Sequence, residues 1–156
     1  MAERAKADRP EPHRRADYVH FASIQTRWMD NDVYGHVNNV QYYSFFDTVV
    51  NGYLIESGVL FPQSSPVIGL VVETHCNFFE SVSFPQTIDA GLRVKRLGQS
   101  SVRYEIALFA SGADVAVAQG HFVHVYVDRA TRRPVLLPNA LHDALSGLML
   151  PPAGKR

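Results

Sequence analysis

One stretch of this chain limits its architecture more than any other. From Val40 to Glu56 the apolar residues Tyr43, Phe46, Val50, Tyr53 and Leu54 recur at helical spacing, while Gln41, Ser44, Thr48 and Asn51 mark a more polar side. Gly58 is placed to stop such a helix. The spacing predicts one long helix of roughly four or five turns. Before it, residues 18–30 mix Tyr18, Val19, Phe21, Ile24 and Trp28 and read as a first strand. After it, residues 67–79, 86–96, 101–110 and 115–127 read as strands, and a short helix is expected over 139–146. The turns Leu97-Gly98-Gln99-Ser100 and Ser111-Gly112-Ala113-Asp114 are tight, which makes the strands they join antiparallel neighbours.

A sheet with one apolar face must cover it, and one long helix is available to do so. The expected fold is therefore α+β: a single domain over residues 18–150, with an antiparallel sheet wrapped around one central helix. Its outer face and edges stay exposed, which predicts a homodimer or homotetramer. The first seventeen residues carry five basic and four acidic side chains, two prolines, and no Leu, Ile, Val or aromatic residue. They read as a disordered arm, and residues 151–156 as a second tail.

Lys+Arg and Asp+Glu are 15 each, so the formal charge is zero. Nucleic acid and anionic membrane surfaces both call for a basic excess, so neither is an expected partner. The longest apolar runs, such as Val67–Val72, fall far short of the ~18 residues of a membrane helix. One cysteine excludes an internal disulfide and a Cys-rich metal site. The arm lacks the apolar core of a secretory signal, and the cytoplasm is the expected compartment.

The segment Asp30-Asn31-Asp32-Val33-Tyr34-Gly35-His36-Val37-Asn38-Asn39 reads as a loop ending at a helix N-cap. Together with the flanking Thr26–Met29 and Val40–Tyr43, it resembles the signature of the 4-hydroxybenzoyl-CoA thioesterase family of hotdog-fold acyl-CoA hydrolases. That signature runs strand, D-x-D-x-x-G-H-V-N-N, then helix. Val125–Val135 resembles the last strand and following turn of the same family, and Arg96–Ser101 its middle hairpin. The likeness spans residues 20–138. It implies a hotdog domain with Asp32 as the catalytic carboxylate and the backbone amide of Asn39 as an oxyanion donor. It also implies sites between subunits, and a coenzyme A bound at the surface near a subunit interface. Plant-type acyl-carrier-protein thioesterases of this fold carry an Asn two residues after the Asp and a His four after. Here His36 is kept, but Tyr34 replaces the Asn.

The chemistry agrees with the resemblance. Thioester hydrolysis needs a nucleophile or an activated water, and donors for the oxyanion. The first turn of a helix offers unpaired N–H groups and a positive dipole end. Asp32 would be nucleophile or general base, the Asn39 amide the donor, and His36 a residue that either lines the site or packs under the loop. Asp30 is expected to bond nearby backbone amides. Tyr43 is a candidate for the acyl pocket, and Arg96, Ser100 and Ser101 for coenzyme A. No metal or redox cofactor is expected, since coenzyme A enters only as part of the substrate.

Other site types fit less well. A calcium loop starting at Asp30 would place Gln41 where a Glu is required. On a strand, His121 and His124 point to opposite faces, as do His75 and Cys76, which argues against a shared metal or a Cys–His dyad. No G-x-S-x-G elbow occurs. Two rival functions share the fold: a non-catalytic acyl-CoA-binding module, and a hydratase or dehydratase acting on enoyl or 3-hydroxyacyl thioesters.

Overall fold

The computed structural model describes residues 9–150. Five strands form one sheet: β1 (His20–Gln25), β2 (Val67–Phe78), β3 (Thr87–Leu97), β4 (Ser101–Ala110) and β5 (Ala118–Asp128). Helix α1 (Asn39–Glu56) lies between β1 and β2 in the chain, and α2 (Asn139–Ser146) closes it. The strand order is β1-β3-β4-β5-β2, with every pairing antiparallel. Consecutive tight turns place β3, β4 and β5 side by side. The long connections through α1 leave β1 and β2 as the two edges.

The helix forms because its first and last turns are closed by local partners. Asn38 is the N-cap, and its side-chain oxygen accepts from the Val40 N–H at 3.1 Å. At the other end Gly58 takes φ +73°, and its N–H donates to Ile55 O while Val59 N–H donates to Leu54 O. That paired pattern needs a left-handed residue, which glycine supplies without a Cβ clash. Between the caps, Tyr42, Phe45, Phe46, Val49, Val50 and Leu54 are buried. They meet Ile88, Ala90 and Leu92 of β3, Val102, Tyr104, Ile106 and Leu108 of β4, and Phe122 and Tyr126 of β5 in one core. Fully burying such side chains contributes about 1.5–3 kcal/mol each. The helix is thus wrapped by the sheet, the arrangement expected of a hotdog domain.

Two local features set how the layers meet. A Cβ at Gly120 of β5 would run into the His75 carbonyl oxygen and the Phe46 ring, so the absent side chain lets α1 settle onto the sheet. On β2 the pairing with β5 slips between Val71 and Glu73, and Val72 is the extra residue of a bulge. Val67, Gly69 and Val71 pair with the inward-facing Asp128, Tyr126 and His124 positions. Beyond the slip, Thr74, Cys76 and Phe78 take the inward places opposite Phe122, Gly120 and Ala118.

The N-terminal arm is partly ordered, contrary to the sequence reading. Residues 1–8 and the tail 151–156 lie outside the described residues. Residues 13–18, however, are fastened to the outer sheet face. His13 N–H donates to Gln119 Oε1 at 2.6 Å, Arg14 forms a bridge with Val115, and Arg15–Asp17 make a single 3-10 turn. The Arg15 guanidinium pairs with Asp89 at 2.7 Å and lies over the Phe21 and Phe109 rings. Arg93 bonds Glu105 through two nitrogens, donates to the Asp17 carbonyl and covers the Tyr18 ring. Arginine stems and cation–π contacts order this segment where aliphatic burial is missing. β5 also begins later than expected, at Ala118, because Val115 is used by Arg14. Among the described residues no helix is long and apolar enough to cross a membrane.

Gly120→Ala should destabilise the fold by at least about 1–3 kcal/mol, the range for overpacking a dense core. Urea unfolding midpoints of the variant and the parent check this, and an unchanged midpoint would show that α1 can move away freely.

Candidate active site

The loop before α1 is built on a buried carboxylate. Asp30 is fully enclosed, accepting from the Arg27 N–H at 2.7 Å and from the Arg27 guanidinium at 2.9 and 3.2 Å. Its carbonyl accepts from the Asn38 N–H, which ties the start of the loop to the helix cap. Val37 N–H donates to Val82 O, and Asn31 pairs with Val37 across the loop. Asp30 therefore has the structural task expected of it.

Asp32 sits at the tip of this frame. Its N–H donates to His36 O at 2.8 Å, and its carbonyl accepts from Gly35 N–H, with Gly35 at φ +83°. Oδ1 accepts from the Tyr34 N–H at 2.8 Å. Asp32 is half-buried, and its Oδ2 has no hydrogen-bond partner among the described residues. Around it stand apolar side chains left open to water: Trp28 at 78% exposure, Met29 at 71%, Val33 at 92% and Tyr34 at 82%. His36 is also exposed.

Seven residues on, the Asn39 N–H opens α1. Among the described residues it has no acceptor, because the Asn38 side chain caps Val40 instead. Asn39 lines a cleft of about 300 Å³ with Val37, Tyr42, Phe78, Phe79, Glu80 and Ser81. The residue that carries the free donor is thus part of the wall of this cleft. Asp32 belongs to the neighbouring loop and not to the wall of this cleft. The sequence reading missed Phe78–Ser81, whose only signal was their place at the end of a strand.

The other candidates are dispersed. Tyr43 is half-buried against Phe46 and Phe122. Arg96 is exposed, and Ser100 and Ser101 lie in the β3–β4 hairpin, where Ser100 O accepts from Tyr126 N–H. Tyr126 and Ala118 mark opposite ends of β5, about 26 Å apart at ~3.3 Å per residue. Ala118 pairs with Phe78 beside the Asn39 cleft, so one chain does not bring the hairpin to Asp32.

The histidines divide as expected. His121 is on the outer face, with Nε2 at 2.9 Å from Glu73, and stacks on His75. His124 faces inward and is 4% exposed, with Nε2 buried and unpartnered. Burial lowers its pKa to about 4. Cys76 packs against the core, and burial raises its thiol to about 12, so it is an inert thiol at neutral pH. Among the described residues no cluster of His, Cys, Asp or Glu could hold a metal ion.

Comparison with known proteins names the group. The profile of the Thioesterase-like superfamily matches residues 26–145, from just after β1 into α2. The chain belongs to the Thioesterase-like superfamily. The solved structure of the PA5185 protein from Pseudomonas aeruginosa strain PAO1 is 58% identical and superposes with a TM-score of 0.87, covering 90% of this chain and 97% of that one. The PA2801 protein of the same species is 27% identical, with a TM-score of 0.74 over 81% of this chain and 98% of its own. A DHNA-CoA thioesterase from Staphylococcus aureus, 18% identical, shares the hotdog fold at a TM-score of 0.73 over 81% and 87% of the two chains. No curated protein matches.

Asp30→Ala strands the Arg27 N–H and frees the loop. It should cost about 1–3 kcal/mol, read as a lower urea midpoint. His124 gives a pH test. Above its ordinary pKa of 6.5 both folded and unfolded chains hold it neutral, and it has no effect on pH dependence. Between pH 6.5 and about 4 the unfolded chain gains a proton that the folded one refuses. Stability should fall over that window by up to about 3 kcal/mol. His124→Phe should flatten that part of the stability–pH curve.

Proposed function

We propose that the chain hydrolyses acyl-CoA thioesters to a carboxylic acid and free coenzyme A. The observation that supports this most directly is the unpartnered N–H of Asn39 at the opening turn of α1, in a residue that lines a cleft of about 300 Å³, with the Asp32 carboxylate in the adjoining loop. The thioester carbonyl would rest on that amide. Negative charge gathering on its oxygen is favoured by the N–H and by the positive end of the helix dipole. Asp32, with one oxygen held by Tyr34 N–H and the other free, attacks the carbonyl carbon or takes a proton from the attacking water. As nucleophile, Asp32 forms a mixed anhydride with the acyl group as the C–S bond breaks, and water then hydrolyses that anhydride to the free acid and restores the carboxylate. As base, it takes the proton of the attacking water as the same bond breaks. In both, the departing sulfur gains a proton that comes from water and leaves as the coenzyme A thiol. The Asp30–Arg27 pair and the Asn38 cap fix the distance between carboxylate and amide, which is where orientation gains arise.

The working unit in this reading is a homodimer joined along β2. That edge strand is unpaired in one chain, and Leu70, Val71 and Val72 at its centre are exposed. Exposed apolar residues on an unpaired edge are the kind that chains cover by pairing. Two copies joined antiparallel bring Arg96, Ser100 and Ser101 of one toward the Asp32 end of the other. There they could meet the phosphates of coenzyme A, as the superfamily likeness suggests.

Asp32→Asn should lower kcat for acyl-CoA hydrolysis at least a hundredfold without changing the folded-state circular dichroism. Release of free thiol from a panel of acyl-CoAs measures it. Near-normal turnover removes Asp32 from the mechanism, and thermal stabilisation by acyl-CoA without thiol release shows a binding module instead.

A further inference from the structure

A second cavity, of about 400 Å³, lies under the first half of β2, away from the Asn39 cleft. Leu54, Leu60, Pro62 and Ile68 give it apolar walls, and Asn51, His124 and Tyr126 bring polar atoms to it. The mechanism uses none of these residues. Their arrangement is that of a pocket for a largely apolar group with one polar point.

His124 is the unusual member. It is almost wholly buried, and its Nε2 is enclosed with no partner. The tautomer with its hydrogen on Nδ1 is the one that avoids burying an unpaired N–H at Nε2. Nδ1 faces Gly69. A Cβ at that position would lie 3.0 Å from Nδ1 and 3.0 Å from the Tyr126 ring, so only the missing side chain leaves the notch open. An N–H donor kept bare and uncovered in an apolar cavity fits a ligand with a neutral oxygen acceptor. The burial that keeps the ring neutral down to about pH 4 disfavours a carboxylate there, since no cation would be present to meet it.

Within one chain this cavity is remote from the thioester site. Asn51 lies twelve residues beyond Asn39, about 18 Å along the helix at 1.5 Å per residue. Across two β2 strands paired antiparallel about their centre, Gly69 of one copy stands opposite Cys76 of the other, one strand spacing of about 4.8 Å away. Two residues further along that second strand, Phe78 lines the Asn39 cleft. In a dimer paired in that register, the cavity of one copy would adjoin the cleft of its partner.

We propose that the His124 cavity reads the far end of the acyl group held at the other copy's Asn39 cleft, preferring an apolar acyl group tipped with a neutral hydroxyl or keto oxygen. This rests on the thioesterase reading and on the β2 dimer. His124 acts as a specificity residue, and Gly69 keeps its notch open.

The test compares matched substrates: 4-hydroxybenzoyl-CoA against benzoyl-CoA, and 8-hydroxyoctanoyl-CoA against octanoyl-CoA. The full chain should favour the oxygen-bearing member of at least one pair about tenfold in kcat/KM, and the pair that responds identifies an aryl or an alkyl substrate. His124→Phe and Gly69→Ala should each bring that ratio near one, read as loss of the kcat/KM advantage of the oxygen-bearing member in a chain whose circular dichroism is unchanged. No preference in the parent, or a preference that survives in a folded variant, overturns the proposal. A mixed dimer of Asp32→Asn and His124→Phe chains, purified on two tags, decides the geometry. Its one working site combines Asp32 of one chain with His124 of the other, so the preference should return, and an unselective mixed dimer overturns the cross-copy pocket. If the parent releases no thiol from any substrate, the hydrolase reading fails on its own. The same oxygen-dependent ratio is then sought in calorimetric binding of the four thioesters, and its absence overturns the pocket as well.

Discussion

The seating of α1 on the sheet underlies everything else in this chain. Phe46 reaches the backbone of β5 only because residue 120 has no side chain, and the rest of the buried helical stripe follows it inward. Once the helix is seated, its first turn has one possible address: the end of the sheet where Phe78 and Ala118 pair. The unpaired amides of that turn, the cleft beside them and the loop that carries Asp32 are all set by that contact. The close approach of Phe46 to the backbone of β5 leaves little room for the helix to slide at that point.

Around the cleft, charge is handled in two ways. Asp30 is buried but surrounded by donors, so its cost is met by the Arg27 backbone and guanidinium. Asp32, two residues later, bonds a single amide and keeps the other oxygen free. The two carboxylates share a loop and differ in how fully they are satisfied. The satisfied one holds the shape, and the other keeps one oxygen open.

Much of this was legible from residue order. The α1 stripe showed as apolar residues at helical spacing, the hairpin from its Gly98 turn, and the opposite facing of His121 and His124 from strand alternation. The Asp30–Asn39 pattern located the loop. What escaped had no local signal. Residues 13–18 lack aliphatic side chains, and their order comes from Arg15 and Arg93 meeting partners far away in sequence. Phe78–Ser81 border the cleft only through the strand pairing that brings them to Asn39. The notch beside His124 depends on a glycine that sits across a strand pair from Tyr126.

The bulge at Val72 has a wider meaning for β2. This one strand presents Gly69 to the His124 cavity and Phe78 to the Asn39 cleft, although nine positions separate them and strict alternation would send them to opposite sides. The extra residue reconciles the two. A chain that kept every residue but formed no bulge would turn Cys76 and Phe78 out to water and His75 and Asn77 into the core. Loss of Val72 alone would leave every other pairing of this edge strand in place, whereas one further residue would need a second bulge to keep both ends facing inward.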